Sequence, residues 1–319
     1  MTKFVMAYDI GGTKIKAGLI APSGEIQDQA TAASHAQGGP QAIMASATQL
    51  TEQIMARNKE IKIIGTGIAT AGVVDKKQGK ISASANHIAD WQNFPIQTAF
   101  TQLLGKHTVI DNDGNCALLA EVHAQSLEQS DIIFLALGTG LGGAIYSNGK
   151  IRTGKTSLAG HFGQTLIGDL STPENWQCLE TILSGSGLAK LARQKITQHE
   201  SVPTAKELFP DSRAVLRAIA NNTAAQAALT QWIHLLANTC HSLQWNYDPD
   251  ILILGGGLID AAKIWWHQFT ACLTQINSNH HLPAPMDVRP AILGNDAAMV
   301  GAGLMAWHAI IDKEHSHAA

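Results

Sequence analysis

The sequence predicts a duplicated α/β fold of two lobes around a cleft. Three observations carry this: a strand meander with a glycine turn opens the chain, the same grammar returns from Asp131, and strand and helix patterns alternate between the copies. The first copy runs "KFVMAYDI", a Gly-Gly turn, "KIKAGLIA", the turn "PSG" and "EIQDQATAA". The second runs "DIIFLALG", a Gly-rich turn, "GAIYS", the turn "NG" and "KIRTG". Between them a helix over 40–58 places Ile43, Ala47, Leu50 and Ile54 on one stripe, a strand "KIIGTGIAT" follows, and "HTVID" leads into the helix pattern "NCALLAEVHA". From 185 the chain reads as helical through about Leu243, breaks at "NYDPD", enters the strand "ILILGGG" and closes with a helix over 296–310. The expected division is a small lobe of residues 1–113, joined by the terminal helix at about 304–319, and a large lobe of 114–303 containing the helical segment 185–243.

Composition bounds the function. The chain has 319 residues, 45% of them hydrophobic, enough for a substantial core. A net charge of −3 without a long Lys or Arg run argues against nucleic acid or an anionic membrane surface and for a small-molecule partner. No stretch reaches the roughly 18–20 uninterrupted apolar residues that span a bilayer, and the segment ahead of Asp9 is too short for a signal peptide, so the expected location is cytoplasmic. Cys116, Cys178, Cys240 and Cys272 form no CxxC pair and are expected to be buried, reduced thiols.

Two glycine turns carry the first chemical signal. "DIGGTK" sets Asp9 at a strand end, then Gly11, Gly12, Thr13 and Lys14. "LGTGLGG" supplies Gly138, Thr139, Gly140, Gly142 and Gly143. Such turns aim backbone N–H groups at anions, although each alone is also an ordinary hairpin turn. Gly138, Gly140 and Gly143 also satisfy G-x-G-x-x-G, but that dinucleotide fingerprint requires a following helix and "AIYSNGKI" reads as strand and turn; no P-loop pattern is present. Gly255, Gly256 and Gly257 end a buried strand, either as a tight strand-to-helix turn or as a flat platform for an adenine or ribose.

The catalytic candidate lies in "VIDNDGNCALLAE". A carboxylate at a strand end near phosphate loops can take the proton of an attacking hydroxyl, which selects Asp113, with Asn112 orienting the same substrate. The purely structural reading makes Asp113 or Asn115 the N-cap of the following helix.

The motifs "DIGGTK", "GIATAGVVD", "DNDGNCALLAE", "LGTGLGGAI", "AGHFGQTL", "CLETILSG", "LILGGGLI" and "LGNDAAMVGAG", in this order over essentially the whole chain, resemble the ROK family of sugar kinases, members of the actin/hexokinase-like (ribonuclease H-like) ATPase fold. The resemblance implies transfer of the γ-phosphoryl of ATP to a hexose hydroxyl, usually O6, with Mg²⁺ held near Asp9 through water. It implies Asp113 as general base, Asn112 and Gly72 against the sugar, Gly11 to Lys14 and Thr139 to Gly143 as phosphate loops, and Gly255 to Gly257 beside the adenosine. A homodimer is implied by the resemblance alone. Family repressors carry a helix-turn-helix before the first loop; with that loop starting at Asp9, DNA binding is not expected.

The chain departs from the family in "SLAGHFGQTLIGDLSTPENWQCLE". By resemblance, a His and three Cys would hold a structural zinc, and two Glu and the His would meet the sugar. Here His161 stands at the first Glu, Gln164 at the His, and Ser171, Pro173 and Cys178 at the cysteines, while Glu180 matches the second Glu and "LETILSG" reads on as helix. One zinc ligand of four survives, so no structural zinc is expected. Family members acting on N-acetylmannosamine in sialic acid breakdown carry a similar "LAGHxGxTL", which implies an N-acylhexosamine, most of all N-acetylmannosamine, as substrate. Glucose or N-acetylglucosamine is the alternative, and a non-catalytic sugar-binding sensor is the alternative of another class. The family's sugar loop "PNxxGW" reads "NHIADW" here, so either Asn86 or His87 takes the place of its Asn.

Overall fold

The computed structural model describes residues 2–83, 88–169, 171–196 and 202–318. The chain forms two compact units, Met1–Glu128 with Ile151–Ala159 and Asn295–Ala319, and Gln129–Lys150 with Gly160–Gly294.

The first unit is built on a five-stranded sheet. Its strands are β1 (Thr2–Ile10), β2 (Lys14–Ile20), β3 (Ile26–Ala33), β4 (Ile61–Thr70) and β5 (Thr108–Asn112), in the order β3-β2-β1-β4-β5. The meander β1 to β3 is antiparallel, and β4 and β5 run parallel to β1. Central β1 is buried without a break from Phe4 to Tyr8, as a strand covered on both faces must be, while edge strand β3 alternates along its length. Helices α1 (Gly39–Arg57), α2 (Ile96–Leu104) and α3 (Asp113–Ala124) follow β3, precede β5 and follow β5. The predicted stripe Ile43, Ala47, Leu50 and Ile54 is buried along α1. A short antiparallel ladder, Val73–Asp75 with Lys80–Ala83, projects beyond β4.

The terminal helix, Ala297–Ala318, packs on α3, β4 and β1. It approaches so closely that a Cβ at Gly301 would stand 1.8 Å from the Cys116 carbonyl oxygen, and one at Gly67 would stand 1.9 Å from that of Ala302. Backbone lies directly on backbone here, which only glycine permits.

The second unit repeats the plan. Strands β6 (Ile132–Leu137), β7 (Leu141–Ser147), β8 (Lys150–Ile151), β9 (Ile251–Gly255) and β10 (Asp287–Pro290) are ordered β8-β7-β6-β9-β10. β6 and β7 are antiparallel, and β9 lies parallel to β6 and β10. Both sheets thus have the connectivity 3-2-1-4-5, and the duplication read in the sequence is present in the fold. Helices α4 (Gly185–Ile196), α5 (Val202–Leu208), α6 (Ser212–Ala218), α7 (Thr223–Tyr247) and α8 (Ala262–Asn279) complete the unit.

Several elements differ from the sequence reading. Helices α2 and α8 and strand β10 were not foreseen, although Trp265, Phe269 and Leu273 give α8 a buried stripe at helical spacing. "KIRTG" pairs only through Lys150 and Ile151. "LETILSG" is not one helix: Leu179–Thr181 makes a single 3-10 turn, and α4 starts at Gly185, where the Ser184 hydroxyl accepts from the Gly187 N–H at 3.0 Å. Cys116 and Cys240 are buried as expected, but Cys178 and Cys272 keep some surface; all four are unbridged. Among the described residues no helix is long and apolar enough to cross a membrane.

Candidate active site

In the first unit the parallel strands end together. Ile10, Thr70 and Asn112 occupy one row of the sheet, and Asp9, Ala69 and Asp111 occupy the row before it. Residues in a row share a face, so Asp9 and Asp111 lie on the same side of the sheet. Beyond the row, the turn at Gly11, the Ala71–Gly72 bend and Asp113 leave one carboxyl edge, where α/β folds gather ligand groups.

Asn112, not Asp113 or Asn115, is the N-cap of α3. Its extended backbone (φ −64°, ψ 146°) lets Oδ1 accept from the N–H groups of Gly114 and Asn115, at 2.9 and 3.4 Å. Its Nδ2 donates to the Gly72 carbonyl at 3.1 Å, using one of its two hydrogens. Asn112 therefore ties the β4 exit to the start of α3. Asp113 is the first helical residue, partly exposed where Asp111 and Asn112 are buried, and its Oδ1 shares the Gly114 N–H at 2.9 Å.

Asp9 faces Lys16 across the β1–β2 ladder. The Lys16 ammonium pairs with Asp296 at 3.0 Å and donates to the Asn295 carbonyl, at the start of the terminal helix. Burial, then the negative charge of Asp113, pushes the Asp9 carboxyl up to about 7; Lys16 opposes this and Asp296 adds to it. Two further carboxylates and one ammonium thus act on the Asp9 carboxyl, but among the described residues no group of three or more His, Cys, Asp or Glu side chains is placed to hold a metal ion directly. In the turn itself, the Gly11 N–H donates to the Lys14 carbonyl at 3.0 Å, and Thr13 and Lys14 are exposed.

In the second unit the turn after β6 is tied to α4: the Gly138 carbonyl accepts from Gly185 at 2.8 Å. Gln164 Nε2 donates to Glu180 Oε1 at 2.7 Å, and the Cys178 thiol donates to Gln164 Oε1 at 3.6 Å. Glu180 Oε2 lies 3.1 Å from where a Gly140 Cβ would stand, so the Gln164–Glu180 pair borders the glycine turn. His161 is half-buried immediately before the 3-10 turn Phe162–Gln164.

Sterics sort the glycines into two groups. A Cβ at Gly11 would meet only the Lys14 carbonyl at 3.4 Å, at Gly138 the nearest atom would be 3.9 Å away, and at Gly257 nothing lies within 4 Å. The protein's own packing does not demand glycine at these three, so there is space beside the backbone, although the N–H groups of Gly11 and Gly138 are themselves engaged within their turns, the latter on the Ala136 and Gly140 carbonyls at 3.1 Å. Gly143, Gly255 and Gly256 are needed for packing: Cβ atoms there would come within 2.6 Å of the Gly160 carbonyl, the Phe134 ring and the Leu137 backbone, and Gly256 adopts φ 84°. The tight-turn reading therefore holds for Gly255 and Gly256.

Asn86 and His87 lie outside the described residues. Sequence reasoning missed Lys16, Lys76, Asp111 and Asp296 as members of the first unit's charged edge. Lys16 could have been found by counting back from the Gly-Gly turn, since a hairpin pairing Ile10 with Ile15 pairs Asp9 with Lys16.

Comparison with known proteins identifies the family and the fold. The family model described as ROK family matches residues 5–309. The chain is similar to an N-acetylmannosamine kinase of Shigella boydii, 28% identical over 305 residues that span 94% of this chain and 97% of that one. It is similar to an N-acetylmannosamine kinase of Escherichia coli O127:H6, 29% identical over 304 residues with the same coverage. In structure it is similar to a ROK hexokinase from Thermus thermophilus (TM-score 0.79, 24% identity, 97% and 99% of the two chains). It is also similar to a ROK family glucokinase from Streptomyces griseus, solved with glucose and AMPPNP (TM-score 0.77, 24% identity, 96% and 99%). The fold is accordingly the actin- and hexokinase-like α/β ATPase fold.

Proposed function

The chain belongs to the ROK family and is a sugar kinase, and on that premise we propose that it transfers the γ-phosphoryl of ATP to the 6-hydroxyl of N-acetylmannosamine. The observation that carries the chemical part is the Asn112–Asp113 turn. A dedicated amide caps α3, so the Asp113 carboxylate stands at the carboxyl edge without being required as the cap. In the reaction the sugar O6 forms its bond to the γ-phosphorus, the bond from that phosphorus to the β–γ bridging oxygen breaks, ADP leaves, and the hydroxyl proton passes to Asp113. Asp9 would act near Mg²⁺ through water, since among the described residues no three His, Cys, Asp or Glu side chains are placed to ligate it directly, and the ion would neutralise phosphate charge when bound. The steric room beside Gly11 and Gly138 supports close approach of a phosphate in each unit, and that beside Gly257 supports an adenosine contact.

The substrate is argued from two sides. The relatives of 28–29% identity are named for N-acetylmannosamine, and Gln164 with Glu180 presents a paired amide and carboxylate suited to sugar hydroxyls beside His161. The solved glucokinase at 24% identity favours glucose as the second reading. Measured ADP release should give a higher kcat/KM on N-acetylmannosamine than on glucose or N-acetylglucosamine, and Asp113→Asn should lower kcat by about 10²-fold or more. Preference for glucose would overturn the substrate, and full turnover by Asp113→Asn would overturn the general base.

We propose as well that this chain needs no structural zinc. The Gln164 amide is engaged by Cys178 and Glu180, and the Ser171 hydroxyl donates to Asp169 at 2.8 Å. Neither an amide nor an alcohol replaces a thiolate or imidazole ligand.

A further inference from the structure

We propose that Lys76 is a positioning residue for phosphoryl transfer, holding the Asn112–Asp113 turn in its working shape through the buried carboxylate of Asp111. The proposal rests on the reading of Asp113 as the general base.

Asp111 is 4% exposed. Its Oδ1 accepts from the Asn112 N–H at 2.7 Å and from Asn115 Nδ2 at 2.9 Å, which are neutral donors on either side of Asp113. Its Oδ2 pairs with the Lys76 ammonium. A carboxylate taken from water needs a charge partner as well as hydrogen bonds, and Lys76 supplies that charge from a separate segment. That segment is fixed in turn. Asp75 Oδ1 accepts from the N–H groups of Lys77 and Gln78, at 2.9 and 3.0 Å, and four residues before Lys76 the Gly72 carbonyl receives Asn112 Nδ2. Residues 72–78 therefore grip the turn twice, once through a carbonyl and once through an ammonium.

The grip surrounds the reacting group. Asp111 binds the residues before and after the Asp113–Gly114 pair, so a change in its position is passed to Asp113 by two hydrogen bonds. The Cys116 thiol, buried one turn further on, feels Asp111, Lys76, Asp113 and Asp9 together, and Lys16 and Asp296 complete the charges at this edge. Lys76 itself has an exposed stem, with 42% of its side chain accessible, so it can be replaced without opening the core.

The test compares Lys76→Met, Lys76→Arg, Asp111→Asn, the double variant Lys76→Met with Asp111→Asn, and Asp113→Asn in the same coupled assay for ADP release on N-acetylmannosamine and glucose. Lys76→Met should lower kcat about tenfold or more, because small misplacements of a catalytic group are costly, while KM for ATP and for sugar stays within about twofold. Lys76→Arg should restore most of kcat, and the double variant should lose less than the product of its two single losses, since a neutral amide at 111 needs no cation. Wild-type kcat in Lys76→Met, or a loss confined to KM, would overturn the proposal, the latter marking Lys76 as a substrate contact. Turnover lost in Asp113→Asn but kept in Lys76→Met strikes this proposal alone; turnover kept in Asp113→Asn strikes the general-base reading.

Discussion

Asp9 carries its proton to about neutral pH because burial and two neighbouring carboxylates outweigh the single ammonium of Lys16. The sign of its effect on stability follows from linkage. A carboxyl whose folded pKa lies near 7, above its unfolded value near 4, stabilises the fold at low pH, and that contribution is lost as pH rises through 7. In magnesium-free buffer, Asp9→Asn should therefore melt several degrees above wild type at pH 8 and near wild type at pH 4, and in an assay supplied with magnesium it should lose kinase activity. Scanning calorimetry at the two pH values checks this; an equal shift at both would contradict it. The position is one where stability is given up for charge. It was legible as a strand-end acid beside glycines, and Lys16 was legible from hairpin register. Lys76 and Asp296 were not, because each reaches the site from a segment whose place depends on the tertiary fold.

At the scale of elements, the fold depends on how closely helices meet strands. The terminal helix lies on α3 through Gly301, where even a methyl group would overlap the Cys116 carbonyl. Gly301→Ala must separate the two helices or bend one, so it should lower stability by about 3 kcal/mol or more or leave the protein insoluble, as overpacking does. Alanine at Gly105, where no atom lies within 4 Å of a Cβ, makes a control whose cost is set by φ 61° alone. Thermal melts of the two variants would separate packing from backbone strain. The sequence pattern marked α1 well because its stripe is continuous, and marked α3 from its Asx-rich start. The cap itself is Asn112, whereas the structural alternative read from the sequence offered Asp113 or Asn115, because Asp, Asn and Asp stand in adjoining places and any of them satisfies the rule. α8 is less legible because it has no start signal: Ala261 stands at its N-cap without a side-chain hydrogen bond, so only the stripe Trp265, Phe269 and Leu273 marks it.

For the whole molecule, duplication was the most legible property: two meanders with glycine turns led to two sheets of one connectivity. The segment 164–180 was less so, since the Cys178, Gln164 and Glu180 chain depends on a short ladder between Leu166–Ile167 and Gln177–Cys178 that no period announces. If hydrogen bonds alone hold this segment, purified protein should contain substoichiometric zinc, and a strong chelator should leave its melting temperature unchanged. Mass spectrometry of metal content with a parallel melt decides the matter, and stoichiometric zinc whose removal lowers the melting temperature would refute it.

The shared connectivity also lets equivalent positions of the two halves be compared. At the exit of β1 the chain reads Asp9, Ile10, Gly11; at the matching exit of β6 it reads Ala136, Leu137, Gly138. At this equivalent place one strand presents an ionisable group and the other a methyl. The same backbone plan therefore puts a charge beside the glycine turn of the first unit, whereas in the second the charge beside the turn comes from Glu180, a residue outside the strand.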